Sequence, residues 1–179
     1  MKKRFTIQQC CLAALLCTVL IVSTLLLRFT IPGTTVLVTT QLFFVLLYGL
    51  LFPAKIALSA IGVYILLGLV GLPVFSGVTG PAVLFTPSSG YLLGFLFAAF
   101  CCAWVKKRTN KYWLASIVGL ISFYLIALPC IALVVPVQTL SAFLMAYCVP
   151  FLPLDILKTI LAVAVAHKLE TRLPRQSGR

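Results

Sequence analysis

The chain is 179 residues long, 63% hydrophobic and only 9% charged, with a mean hydropathy of +1.20, which excludes a soluble globular domain. It carries 14 Lys+Arg against 2 Asp+Glu, a formal net charge of +12. The bases fall between apolar runs and not on one aromatic-interleaved face, so they mark topology in a lipid bilayer and point to no nucleic-acid partner.

A helix needs about 20 apolar residues to cross a bilayer, and the charges cut the chain into such lengths. The first span is expected over 5–27. Its basic start imitates a signal peptide, yet the run is too long for one and no Ala-x-Ala site follows, so it is expected to stay uncleaved. The second span is expected over 35–52 and the third over 55–71, with a tight turn at Pro53 and Lys55. From Ile56 to Val105 there is no charge, but Gly71, Pro73, Gly77, Gly80, Pro81, Pro87, Ser88, Ser89 and Gly90 write a connection into that stretch. This leaves an outer loop over about 72–89 and a fourth span over 90–105. Lys106 to Lys111 then reads as an aqueous loop.

The uncharged stretch from Tyr112 to Leu154 is too long for one crossing, and parity decides how it is used. With a fifth span over 113–135 and a sixth over 151–167, both termini share one side. Lys2, Lys3, Arg4, Lys55, the Lys106 to Lys111 cluster and Lys168 with the tail arginines then face the cytoplasm. Only Arg28 lies outside, and Lys158 falls within a span. Pro136 to Pro150 becomes a short helix or re-entrant piece on the outer side. The expectation is an all-α polytopic protein of the plasma (inner) membrane, one integral domain over 1–179 with six transmembrane helices and both termini cytoplasmic.

Asp155 is the only carboxylate within the spans, and Lys158 shares its helix face at i, i+3. Both are costly in lipid, so they form either a structural ion pair or a polar ligand site, and intramembrane ionisable residues usually line a cavity. Pro150-Phe-Leu-Pro153 starts the helix just before Asp155, which places the site near the outer face. Thr39, Thr40 and Gln41 at the outer part of span two, and Ser88, Ser89, Gly90 and Tyr91 at the start of span four, reach the same depth. Singly, a Thr or Gln there is more often glue between helices and an outer Tyr more often part of the aromatic belt; it is their shared depth that points to a site. The apolar, glycine-punctuated loop after Gly71 suits a lid, with Phe75 as its cap and the glycine amides, with Gly77, Gly80 and Thr79, available to an anion.

On the first helix, Cys10, Ala14 and Thr18 form a stripe of small residues with Ala13 and Cys17 beside it, fit for the protein's own helices or for a partner. Gly90 and Gly94 pose the same choice. The seven cysteines are scattered in apolar sequence with no C-x-x-C pair and one distant histidine, His167, so they read as small buried hydrophobes, and neither metal nor cofactor is expected. The chain has no P-loop, no Ser/His/acid set, no multi-carboxylate metal cluster and no potassium-channel filter, so a hydrolase, a phosphotransferase and a potassium channel are poor fits, no enzymatic activity is expected, and any ATP-driven work falls to other chains.

Three segments resemble the BioY family, the biotin-binding S components of energy-coupling factor (ECF) transporters. Gly71-Leu-Pro-Val-Phe-Ser-Gly followed by Thr86-Pro-Ser-Ser-Gly-Tyr-Leu is similar to the family's G-L-P-V-F-x-G-G…G-P-T-G-G-Y-L signature. Val36-Leu-Val-Thr-Thr-Gln resembles its V-P-V-T-x-Q element, and Leu152-Pro-Leu-Asp155-Ile-Leu-Lys158 its L-P-G-D-x-x-K element. The departures are Val78 for a second glycine, Leu37 for proline, Leu154 for glycine, and Thr86-Pro-Ser-Ser for Gly-Pro-Thr-Gly.

The resemblance implies a six-helix carrier that takes biotin from outside and works with a transmembrane coupling subunit and two cytoplasmic ATPases. Asp155 would then accept from the ureido N–H groups and Lys158 or Gln41 would donate to the carbonyl. Phe75 and Tyr91 would pack on the bicyclic ring near Ser89, and the carboxylate would fall to the loop amides of Gly77 and Gly80, to Thr79 or to Lys158 itself. Cys10, Ala14 and Thr18 would take the place of the family's Ala-x-x-x-Ala docking pattern. The rival expectations are a membrane-embedded enzyme using Asp155 as base, a small structural or assembly subunit, and an S component for a different vitamin.

Overall fold

The computed structural model describes residues 6–30, 37–136 and 139–170. Lys2, Lys3, Arg4, Val36 and the tail arginines lie outside them, so the parts of the charge pattern and of the second motif that rest on those residues are not placed. Seven α-helices follow in order: α1 (Ile7–Leu26), α2 (Gln41–Leu51), α3 (Ala54–Leu69), α4 (Ser88–Thr109), α5 (Tyr112–Val134), α6 (Leu140–Tyr147) and α7 (Leu152–Glu170). A 3-10 turn, Pro81–Phe85, sits in the loop before α4.

Among the described residues the bundle is all-helical apart from one short antiparallel ribbon. β1 (Arg28–Thr30) pairs with β2 (Leu37–Thr39) in the register Arg28↔Thr39, Phe29↔Val38, Thr30↔Leu37. The described part of the expected span over 35–52 is thereby shortened: Leu37–Thr39 is extended strand, with β-branched Val38 and Thr40 on either side of Thr39, and the chain becomes helical only at Gln41. A second correction concerns the basic segment. Lys106, Lys107 and Arg108 are not in a loop but form the last turn of α4, where cations meet the negative end of the helix dipole. Asn110, in the left-handed conformation at φ 53°, ends that helix. The expected short piece between Pro136 and Pro150 is α6, which meets α7 at 44°.

Among the described residues α1, α4 and α5 are each long and apolar enough to cross a bilayer alone, and α6 with α7 passes as one bent pair. The bundle has two ends. At one end gather the ribbon, the loop 70–87 and α6; at the other, the α2–α3 turn, the α4–α5 turn and the C-terminus of α7. That second end is tied by Lys106, whose Nζ lies 3.4 Å from Glu170 Oε2, 2.9 Å from Asn110 Oδ1 and 3.5 Å from the centre of the Tyr112 ring.

The core is closed by glycines at helix crossings. A Cβ on Gly90 would stand 2.6 Å from the Ala127 carbonyl oxygen, and one on Gly94 would stand 2.8 Å from the Phe123 ring. Gly90 and Gly94 therefore serve contact between α4 and α5 within the chain, not a partner. Cys102 fills the gap left by Gly49 and Gly119. Of the cysteines only it and Cys17 are fully buried, while Cys10 and Cys11 face outward, so the reading of all seven as buried hydrophobes holds only for some. Cys10, Ala14 and Thr18 are exposed along one side of α1, whereas Ala13 and Cys17 face the core. The helical period itself separates the two stripes.

Candidate functional site

At the ribbon end the helices splay around a cavity of about 460 Å³, within the range of about 300–1,000 Å³ common for small-molecule sites. It is walled by β2, by the ends of α2, α4, α6 and α7, by α5 and by the loop after α3. Six of the expected site residues line it: Gln41, Phe75, Gly77, Tyr91, Asp155 and Lys158. They are spread over four segments separated by up to 117 positions in the chain (Gln41 to Lys158).

Asp155 lies in the first turn of α7, where the helix dipole favours a negative charge. It is only 4% exposed. Its Oδ1 stands 2.7 Å from Lys158 Nζ, and its Oδ2 accepts a hydrogen bond from Tyr124 Oη at 2.6 Å. Burying an ion costs several kcal/mol unless geometry and further hydrogen bonds offset it, and both oxygens here have a partner. Lys158 brings three N–H donors; one goes to Asp155, and the side chain borders the cavity. The pair thus presents a donor and residual acceptor lone pairs to the cavity at no net charge.

Opposite stands a polar chain anchored on α2. Thr39 Oγ1 donates to Gln41 Oε1 at 3.0 Å, Gln41 Nε2 donates to Tyr64 Oη, and Tyr64 Oη donates to the Val74 carbonyl at 3.2 Å. Gln41 keeps a second amide N–H for the cavity it lines. Because Val74 precedes Phe75, this chain ties the α2 terminus through the buried Tyr64 to the loop that covers the cavity.

Phe75 is held at the cavity wall by close fit. Its ring meets Tyr64 edge-on at 5.2 Å and lies directly over Gly68, where any Cβ would overlap it. Gly68→Ala is accordingly expected to swing Phe75 off its seat. Ligand affinity should fall about tenfold or more while α3 itself, gaining a better helix former, stays folded. Calorimetric titration alongside circular dichroism checks this, and an unchanged affinity would mean that Phe75 does not close the site.

The remaining wall is aromatic. Tyr91 stacks on Phe123 at 5.8 Å, Phe95 stacks on the same ring at 5.3 Å, and Phe151 leans on Tyr91 at 5.9 Å. Tyr91 Oη is spent on the Tyr147 carbonyl at 2.8 Å, so Tyr91 offers the cavity its ring and not a free hydroxyl proton.

Three expected residues do not line the cavity. Ser89 turns its hydroxyl back to the Thr86 carbonyl at 2.8 Å, and the Gly80 N–H is taken by the Gly68 carbonyl at 2.7 Å, at a φ of +77° that suits glycine. Thr79 lies beside Gly80 in the loop, away from the lining. Residues that join the site without having been expected are Phe95, Phe123, Tyr124, Tyr147 and Phe151. Only Phe95 carries a sequence signal, its i, i+4 spacing from Tyr91. Tyr124 looks like any aromatic in a hydrophobic run until its partner 31 positions later is placed.

The comparisons with known proteins agree with this architecture. The family model described as "BioY family" matches residues 1–175. A probable biotin transporter BioY of Pyrococcus horikoshii is 35% identical over 133 residues, covering 74% of this chain and 79% of that one. The biotin transporter BioY of Thermotoga maritima is 36% identical over 136 residues, with the same coverage of 74% and 79%. The crystal structure of an S-component for biotin from an ECF-type ABC transporter superposes with a TM-score of 0.78 at 23% identity, covering 96% of this chain and 95% of that one. The likeness in fold extends over the whole bundle.

Proposed function

This chain belongs to the BioY family, and on that premise we propose that it is the biotin-binding membrane subunit of an ECF-type uptake transporter. The observation that carries the reading is the Asp155–Lys158 pair at the wall of the cavity. A bicyclic ureido ring needs acceptors for two N–H groups, a donor for its carbonyl and an apolar face. Asp155 supplies the acceptors, Lys158 and the second N–H of Gln41 the donors, and Phe75, Tyr91 and the rings stacked behind it the face.

Charge supports the orientation. Lys55, Lys106, Lys107, Arg108, Lys111 and Lys168 belong to the end opposite the cavity, while Arg28 belongs to the cavity end. By the positive-inside rule the first end is cytoplasmic, the cavity opens outward, and six crossings return both termini to the cytoplasm. Captured biotin is released inward after closure of the Phe75 loop and reorientation of the bundle. The chain has no nucleotide-binding loop, so ATP hydrolysis by two cytoplasmic ATPases drives that step through a transmembrane coupling subunit. The exposed small stripe Cys10, Ala14 and Thr18 on α1 is the face on which another helix can approach closely. The chain acts as a carrier component and not as an enzyme.

A ligand that binds only the folded state stabilises it in proportion to the logarithm of its concentration, by about 2.7 kcal/mol at 100 times Kd. The melting temperature of the purified protein in detergent should therefore climb steadily with biotin and stay put with other vitamins. A response to a different vitamin reassigns the substrate. No response to any of them overturns the carrier reading, and turnover of a compound by the purified chain would replace it with an enzyme.

A further inference from the structure

The cavity is neutral overall where it is most polar, because Lys158 is already matched by Asp155. A ligand that carries an ionised carboxylate at the end of a tail, as the proposed function requires, must find its cation elsewhere. The described residues hold one other base at the cavity end, Arg28, and the undescribed segments 31–36 and 137–138 contain no Lys or Arg.

Arg28 occupies a particular position. In the ribbon it pairs with Thr39, which lines the cavity, and across the mouth its Nη1 makes a long hydrogen bond of 3.5 Å to the carbonyl of Ser76, which also lines it. Its side chain is exposed, and that one bond engages only one of the five N–H donors of a guanidinium. No acidic side chain competes for it: the chain's two carboxylates are Asp155, paired with Lys158, and Glu170, at the far end with Lys106.

We propose that Arg28 is the carboxylate-recognising residue of the site, its guanidinium held between the ribbon and the Ser76 loop to receive the anionic tail while Asp155 and Lys158 take the neutral head. The planar fork suits a bidentate pair with a carboxylate, which a lysine ammonium reproduces only as a point charge. This rests on the biotin reading above, and the experiment separates the two.

The test is calorimetric titration of wild type, Arg28→Gln and Arg28→Lys in detergent with biotin and with biotin amide, which keeps the ring and tail but has no charge. Wild type should prefer biotin by about tenfold, the worth of one charge-assisted contact at a partly hydrated mouth. Arg28→Gln should lose that preference, with its affinity for the amide unchanged, and Arg28→Lys should keep part of it. If Arg28→Gln keeps the wild-type preference, or weakens both compounds equally, Arg28 does not read the carboxylate although the biotin site stands. If wild type binds neither compound, the biotin reading falls and this inference with it.

Discussion

Replacing Asp155 with alanine will reduce biotin affinity at least about a hundredfold and lower the melting temperature as well. The reason is that Lys158, whose side chain is only 14% exposed, is left without its counter-ion. Its Nζ now stands 2.7 Å from Asp155 Oδ1, and breaking a buried pair by deleting one partner costs about 3–5 kcal/mol. Lys158→Ala should act in the same direction, leaving the carboxylate with only the Tyr124 hydroxyl at 2.6 Å.

Those single variants alone would not separate a ligand site from a structural pair, but a double variant does. Replacing a buried ion pair by apolar residues of similar volume is often neutral or stabilising. Asp155→Leu combined with Lys158→Met should therefore melt near or above wild type and still fail to bind biotin. Titration calorimetry and thermal melting in the same detergent read both quantities. Wild-type affinity in both single variants would remove the pair from the site, and binding by the double variant would leave it a purely structural role.

A second large loss of stability is expected from Gly90→Val, which should cost about 3 kcal/mol and lower the melting temperature by roughly 6–12 °C. The obstruction is backbone. A Cβ there would stand 2.6 Å from the Ala127 carbonyl oxygen and 2.6 Å from Ile131 Cγ1, so α4 and α5 would have to move apart. Gly62, with nothing within 4 Å of its Cβ position, is the matched control. Gly62→Ala should be neutral or stabilising by up to about 1 kcal/mol because alanine is the better helix former. Equal melting of Gly90→Val and wild type would show that α4 and α5 do not cross at Gly90 as described. Because Gly90 precedes Tyr91, the same displacement should also disturb the aromatic wall.

The elements that were legible from the residues are those set by local properties. Long apolar runs bounded by charges, prolines and glycines place α1, α3, α4, α5 and α7 close to their expected bounds, because hydropathy and chain-breaking act within one segment. The helical period also put Asp155 and Lys158 on one face and separated Cys10, Ala14 and Thr18 from Ala13 and Cys17. Where a local signal was ambiguous, its reading went astray. The Thr/Val-rich approach to Gln41 is ribbon and not helix, and the basic residues after Val105 extend α4, since a cationic sequence is compatible with both a loop and a helix end.

Composition and motif order by themselves determined that the chain lives in lipid, that its polarity is concentrated near Asp155, and which family it resembles. Tertiary structure alone decided which polar groups face one another. Tyr124 reaches Asp155 across 31 positions, Tyr91 reaches the Tyr147 carbonyl across 56, and Arg28 reaches Ser76 across 48. It likewise spent the Ser89 hydroxyl and the Gly80 amide on their own backbone turns, withdrawing them from the cavity. The physical reason is that burial in lipid is set largely by the residues of one segment, whereas a hydrogen bond or a ring contact is a property of two, and its partner is chosen only when the helices pack.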